Sequence, residues 1–173
     1  MIRFALLTFP TKGVNGYSKM IPKDSIFYKI STVCFWLLSL TWGCLLTIPG
    51  LLSAIILILF GHKPHIFAGR YIYFVFDNNQ YWGFNLGAVF FVCKNVASDG
   101  ELMCHEAGHG VQNILYGVFT PFIVTIPSII RFQYREWIGR HYPEKYTKLP
   151  PYNSIWFEAQ ATDWGLYLYC DKT

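Results

Sequence analysis

The order of apolar and polar positions divides this chain into a lipid-like stretch and a mixed unit behind it. From Ile30 to His62 there is no Asp, Glu, Lys or Arg, and the run is rich in Leu, Ile, Trp and Phe. As one helix it would measure about 50 Å, against a bilayer hydrocarbon core of roughly 30 Å. Pro49-Gly50 interrupts it, so the pattern predicts a span over Ile30–Ile48 with a broken or re-entrant extension, or else a helical hairpin. Next, Arg70 to Phe76 reads as a strand, Asp77-Asn78-Asn79-Gln80 as its turn and about Phe84 to Cys93 as the returning strand of a short β-hairpin. A helix is expected from about Asp99 to Tyr116, with Ser98 and Glu101 spaced as a capping box and Gly117 placed to end it. A second uncharged stretch runs from Ala107 to Ile130, broken by Pro121 and Pro127. Its part after Gly117, about 117–130, is expected to lie against or partly in a bilayer, with Arg131, Arg135, Trp137 and Arg140 at headgroup level; the apolar face of a buried helix fits equally. After Pro150-Pro151, Asn153 can cap a last helix from about Ser154, Tyr152 can staple onto Phe157, and Glu158 falls in its second turn.

The fold class expected is α+β and α-rich, in three segments: a basic stretch 1–29, a membrane segment 30–62 and a compact unit 63–173. Composition agrees, with 53% hydrophobic, 19% aromatic and only 14% charged residues, where soluble domains carry about 25% charged. A cleavable leader is not expected, because the first apolar run exceeds a normal signal core. The net charge of +4 is too small and too scattered for nucleic acid. Arg3, Lys12, Lys19, Lys23 and Lys29 precede the apolar run against a single Asp24, which places the N-terminus on the cytoplasmic side. Five cysteines, an odd number without a CxxC pair, lean toward a reducing compartment and exclude a four-cysteine zinc module. A single span would export the compact unit and a hairpin would retain it, so the facing side stays open.

The sharpest chemistry is His105-Glu106-Ala107-Gly108-His109. Residues four apart share a helix face, so two imidazole nitrogens can converge on one Zn2+ ion at about 2 Å while the carboxylate between them stands beside the open position. Glu106 is then the catalytic base. The third ligand is expected to be Glu158: Ala161, Thr162 and Gly165 follow it at helical spacing, so a stripe of small side chains lets its helix press on the motif helix. Gly108 and Gly110, costly inside a helix, fit such an approach, with or without catalysis. His141 and Asp163 are the competing donors, and nothing geometric favours His141. The extended metzincin pattern fails, with Gln112 where Gly and Leu115 where a third His would stand.

His105 to His109 followed by Glu158-Ala159-Gln160-Ala161 resembles the gluzincin zinc metallopeptidases of the HtpX and CAAX prenyl protease type. More closely, the chain resembles a set of small bacterial membrane proteins, through Trp42-Gly43, Lys63-Pro64-His65, Leu86-Gly87, His105 to Gln112, Pro127-Ser128 and Glu158 to Gly165. The resemblance implies a zincin-like unit in the bacterial cytoplasmic membrane, with His105, His109 and Glu158 as metal ligands and Glu106 as base. It also implies an Asp where this chain has Thr162, Asp163 being displaced by one position; these two are the candidates for orienting a ligand imidazole. Tyr152 and Tyr146 are candidate oxyanion stabilisers on side-chain chemistry alone. The partners expected are a lipid bilayer and a peptide or membrane-protein substrate, unidentified, and no nucleic acid. Two other readings stay open: a silent membrane protein whose zinc staples two helices, and a small binding or immunity-type membrane protein with an incidental motif. In zincins a sheet edge beside the motif helix can hold substrate; the hairpin expected here could equally just pack that helix.

Overall fold

A computed structural model describes residues 25–78 and 80–170; Arg3, Lys12, Lys19, Lys23 and Asp24 of the basic segment, and Asn79 of the expected turn, lie outside them. The elements run α1 (Ile26–Thr41), α2 (Cys44–Leu59), β1 (His65–Phe67), β2 (Tyr71–Phe76), β3 (Gly83–Leu86), β4 (Val89–Cys93), α3 (Lys94–Ala97), α4 (Gly100–Tyr116), α5 (Ile126–His141), α6 (Pro143–Tyr146) and α7 (Trp156–Tyr169). The fold is α+β and helix-rich with a small mixed sheet.

The apolar run breaks at Trp42-Gly43, where α1 and α2 meet at 99°, and not at Pro49-Gly50, which lie inside α2. Tertiary contacts decide the site of the bend. A Cβ on Gly43 would run into the Asn113 side chain, whose Nδ2 donates to the Gly43 carbonyl at 3.1 Å. Asn113 Nδ2 also reaches Thr47 Oγ1 at 3.1 Å, so the buried amide holds the elbow on α4. Pro49 sits on the exposed side of α2, and Gly50 lets that helix close on the Leu86 carbonyl and Val89. Among the described residues no single helix is long and apolar enough to cross a membrane, but two bent pairs pass that test together: α1 with α2, and Gly100–Phe119 with Pro121–His141, bent by 116°. The second bend contains a 3-10 turn at Gly117–Phe119 and a π-helical turn at Pro121–Thr125. The two elbows touch: Trp42 stacks edge-on to Phe119 at 6.1 Å, and its ring covers Gly117, where a Cβ would collide with it. Arg131 and Arg135 do not reach outward as free cations. They donate to the carbonyls of Pro151, Tyr152 and Pro150 and strap the loop before α7 onto α5.

The sheet has four strands in the order β1-β2-β4-β3. The expected single hairpin is corrected: β4 runs parallel to β2, and the expected returning strand is folded on itself at Gly87 into an antiparallel β3–β4 pair. Gly87 has φ of 70°, a region that favours glycine, and its N–H donates to Asn85 Oδ1 at 2.7 Å. Both faces of β4 are covered, which is why its five residues are all apolar and buried. Phe90 and Val92 pack with Tyr71, Met103 and Ala107 toward α4, whereas Val89 and Phe91 pack with Phe74 and Ala54 toward α2.

α4 is capped by Asp99, whose carboxylate accepts from the N–H groups of Glu101 and Leu102. The expected cap, Ser98, instead closes the preceding helix by donating to the Asn95 carbonyl. Gly117 ends α4 with φ of 56°. α7 starts later than expected, after a 3-10 turn at Tyr152–Ser154 and with Ile155 at its N-cap, so Glu158 falls in its first turn. α4 and α7 pack backbone to backbone. A Cβ on Gly108 would collide with the Ala161 carbonyl, and one on Gly165 with the Cys104 carbonyl. A disulfide, Cys104–Cys170, joins the same two helices. Disulfides persist in oxidising surroundings, so the cross-link argues against the reducing compartment read from the cysteine count.

Candidate metal centre

His105 and His109, one turn apart on α4, aim their Nε2 atoms at the same oxygen, Glu158 Oε2, at 3.3 and 3.4 Å. The close α4–α7 contact makes this meeting possible, because side chains larger than glycine at 108 or 165 would hold the helices apart. The ligand atoms of His105, His109 and Glu158 all lie within 4.8 Å of one another. Glu158 is fully buried, its other oxygen accepts from the Ser128 hydroxyl of α5, and no described donor is aligned on Oε2. Its carboxyl is therefore half satisfied.

Thr162 stands where the resemblance expects Asp, and it contacts the cluster. Its hydroxyl donates to the Glu158 carbonyl at 3.0 Å, so its oxygen must accept from His105 Nδ1 at 2.9 Å. In the neutral ring that fixes the proton of His105 on Nδ1 and leaves Nε2 bare. His109 Nδ1 meets Gln112 Oε1 at 2.8 Å. A bare nitrogen facing a carboxylate oxygen is repulsive unless a proton or a cation lies between them. Two imidazole nitrogens and one carboxylate oxygen, gathered inside the protein, are a set of donors that could hold a metal ion.

Glu106 points to the same region and its Oε2 has no described partner. Burial raises its pKa, the two imidazoles pull it back, and the Glu158 charge adds to the rise. Glu158 goes the other way: burial would raise it, but the His105 and His109 imidazoles outweigh burial and hold it well below the usual carboxylate range. Gly83 on the edge strand β3 lies against Glu106, where a Cβ would collide with the carboxylate, and Asn85 Nδ2 donates to the Glu106 carbonyl at 2.9 Å.

Of the other candidates, Tyr152 reaches the edge of the cluster. Its hydroxyl bonds Ser128 Oγ at 3.0 Å, and since the Ser128 proton goes to Glu158, the Tyr152 proton goes to Ser128. In this state it orients the Glu158 carboxylate through Ser128 and has no proton left for an oxyanion. Tyr146 and Asp163 are not brought in: Tyr146 lies under the Arg135 guanidinium beside Gly139, and Asp163 is exposed on α7. His141 is exposed at the end of α5, its Nδ1 on the Trp137 carbonyl. Sequence reasoning gave no role to Gln112 or Ser128; both sit in recognisable dipeptide or motif contexts, but what they touch depends on tertiary packing. The chain matches no protein-family model, no curated protein and no solved structure.

Proposed function

We propose that this protein is a membrane-associated zinc metallopeptidase of gluzincin type. The observation that carries the reading is the convergence of the His105 and His109 Nε2 atoms on one Glu158 oxygen, with Glu106 alongside. His105, His109 and Glu158 would hold the ion. Bound zinc would supply Lewis acidity, polarising a carbonyl and lowering the pKa of a water to roughly 7. Glu106 would take a proton at Oε2 from the attacking water and return it to the leaving amine. Thr162 holds the His105 ring, and the Tyr152–Ser128 pair holds the Glu158 carboxylate. β3 is an edge strand, and Gly83 on it lies against Glu106, so a strand edge runs beside that carboxylate, which supports a peptide as substrate.

The membrane part of the reading rests on the two touching elbows. Leu45, Ile48, Leu52, Ile55, Ile56 and Leu59 of α2 are exposed, as are Phe119, Phe122 and Ile123 of the second bend. His109 precedes Gly117 by about two helical turns, roughly 12 Å along α4. Elbows dipping into one leaflet would thus keep the cluster near the lipid surface.

The competing reading is a buried staple without catalysis, favoured by one observation: Glu158 raises the pKa of His109, so a proton can replace the cation between them. Zinc analysis and peptide cleavage separate the two. The wild-type protein should carry one zinc per chain and lose it in Glu158→Ala. Glu106→Gln should keep zinc and lose cleavage by about 100-fold or more, in line with general acid–base contributions of about 10²–10⁴. A wild type without stoichiometric metal, or cleavage unchanged in Glu106→Gln, would overturn the proposal.

A further inference from the structure

We propose that Gln112 is a positioning residue of the metal centre, holding the His109 ring and the Glu158-bearing turn of α7 through one amide. The inference rests on the metal reading above. Gln112 follows His109 by three residues on α4 and is completely buried, so both ends of its amide need partners inside the protein. Its Nε2 donates to the Phe157 carbonyl at 2.7 Å and to Gln160 Oε1 at 3.0 Å. A backbone carbonyl can only accept, which decides which end of the amide is nitrogen. Oε1 therefore faces His109 Nδ1 at 2.8 Å. An amide oxygen also only accepts, so the proton of the neutral ring sits on Nδ1 and Nε2 presents its lone pair to the cluster. Gln160 is fixed in turn, because its Oε1 accepts from Tyr116 as well, at 2.7 Å.

Two features set this apart from a packing contact. Phe157 immediately precedes Glu158, so the amide that orients one ligand also anchors the turn carrying another. Thr162 repeats the arrangement one residue on, accepting from His105 and donating to the Glu158 carbonyl. Both imidazoles are thus referred to consecutive carbonyls of α7 through neutral side chains. Neutral acceptors orient an imidazole without adding the basicity that a carboxylate partner would, which leaves the negative charge of the cluster to Glu158 and Glu106.

The test uses the full chain in detergent, titrated with zinc against a competing chelator, with cobalt(II) absorption as a probe of ligand geometry. Gln112→Met should weaken zinc by roughly 10–100-fold and shift the cobalt spectrum. Gln112→Glu, which keeps an oxygen opposite His109, should bind more tightly than Gln112→Met. A merely structural role would lower thermal stability and leave the affinity and the cobalt spectrum alone. Nitrogen-15 spectra of the zinc-loaded wild type supply a check that needs no variant: His109 should carry its proton on Nδ1. Zinc affinity of Gln112→Met within twofold of wild type, or a His109 proton on Nε2, overturns the proposal while leaving the metal site standing. Absence of stoichiometric metal from the wild type overturns both.

Discussion

Burial disfavours a charge on His109, yet the Glu158 carboxylate facing its ring wins and raises its pKa from the ordinary 6.5 to about 9. The folded value lies above the unfolded one, so in metal-free protein the stabilisation from this pair is complete below pH 6.5 and is lost as pH rises through 9. On the proposed reading zinc would need the bare nitrogen, so its binding would release a proton and tighten across the same interval. Melting curves with and without chelator check this: the metal-free midpoint should fall between pH 6.5 and 9, and the gain from zinc should widen. A metal-free midpoint that climbs over that range would contradict the assignment. At this scale the motif was readable because four-residue spacing places His105 and His109 together whatever surrounds them. Ser128 and Gln112 were not readable as partners, since their contacts with Glu158 and Phe157 cross between helices.

Helix α4 gains nothing locally from Gly108, which costs about 1 kcal/mol relative to Ala inside a helix. Its value lies in the contact with Ala161 on α7. Gly108→Ala should therefore destabilise despite the better helix former, by roughly 1–3 kcal/mol as in other overpacked interfaces, and should weaken zinc binding because the ligand helices move apart. Equilibrium unfolding and chelator competition measure the two effects, and a more stable variant would refute the close-packing account. The small-residue stripe on α7 was legible, since Ala161, Thr162 and Gly165 mark one face by spacing alone. The first bend was not: Pro49-Gly50 carries the strongest local breaking signal, but the bend sits where Asn113 reaches Gly43. Likewise the apolar residues from Val89 to Cys93 concealed that Gly87 divides the expected strand, and no local signal distinguishes a parallel β2–β4 pair from a hairpin.

Across the molecule, the sheet lies between α2 and α4, so the elbow that carries the exposed apolar surface is continuous with the support of α4. Replacing Leu52 and Ile56 by Asp alters exposed positions of α2 and should leave the zinc stoichiometry intact while abolishing co-flotation with phosphatidylcholine vesicles. Wild-type protein that stays in solution without lipid or detergent would remove the membrane reading. The helix-rich α+β class was legible from the pattern of apolar and polar positions; the contact of the two bends through Trp42 and Phe119 was not, because 77 positions of sequence, counted from 42 to 119, separate them.

The Cys104–Cys170 bond closes a ring, 66 positions long, that encloses His105, His109 and Glu158. A peptidase that nicked its own chain anywhere inside that ring would yield fragments still tied together, each side of the cut bearing part of the ligand set when the nick falls between His109 and Glu158. On a gel such material would migrate near full length until a thiol reductant parted it, so a test for self-processing would have to be read under reducing conditions.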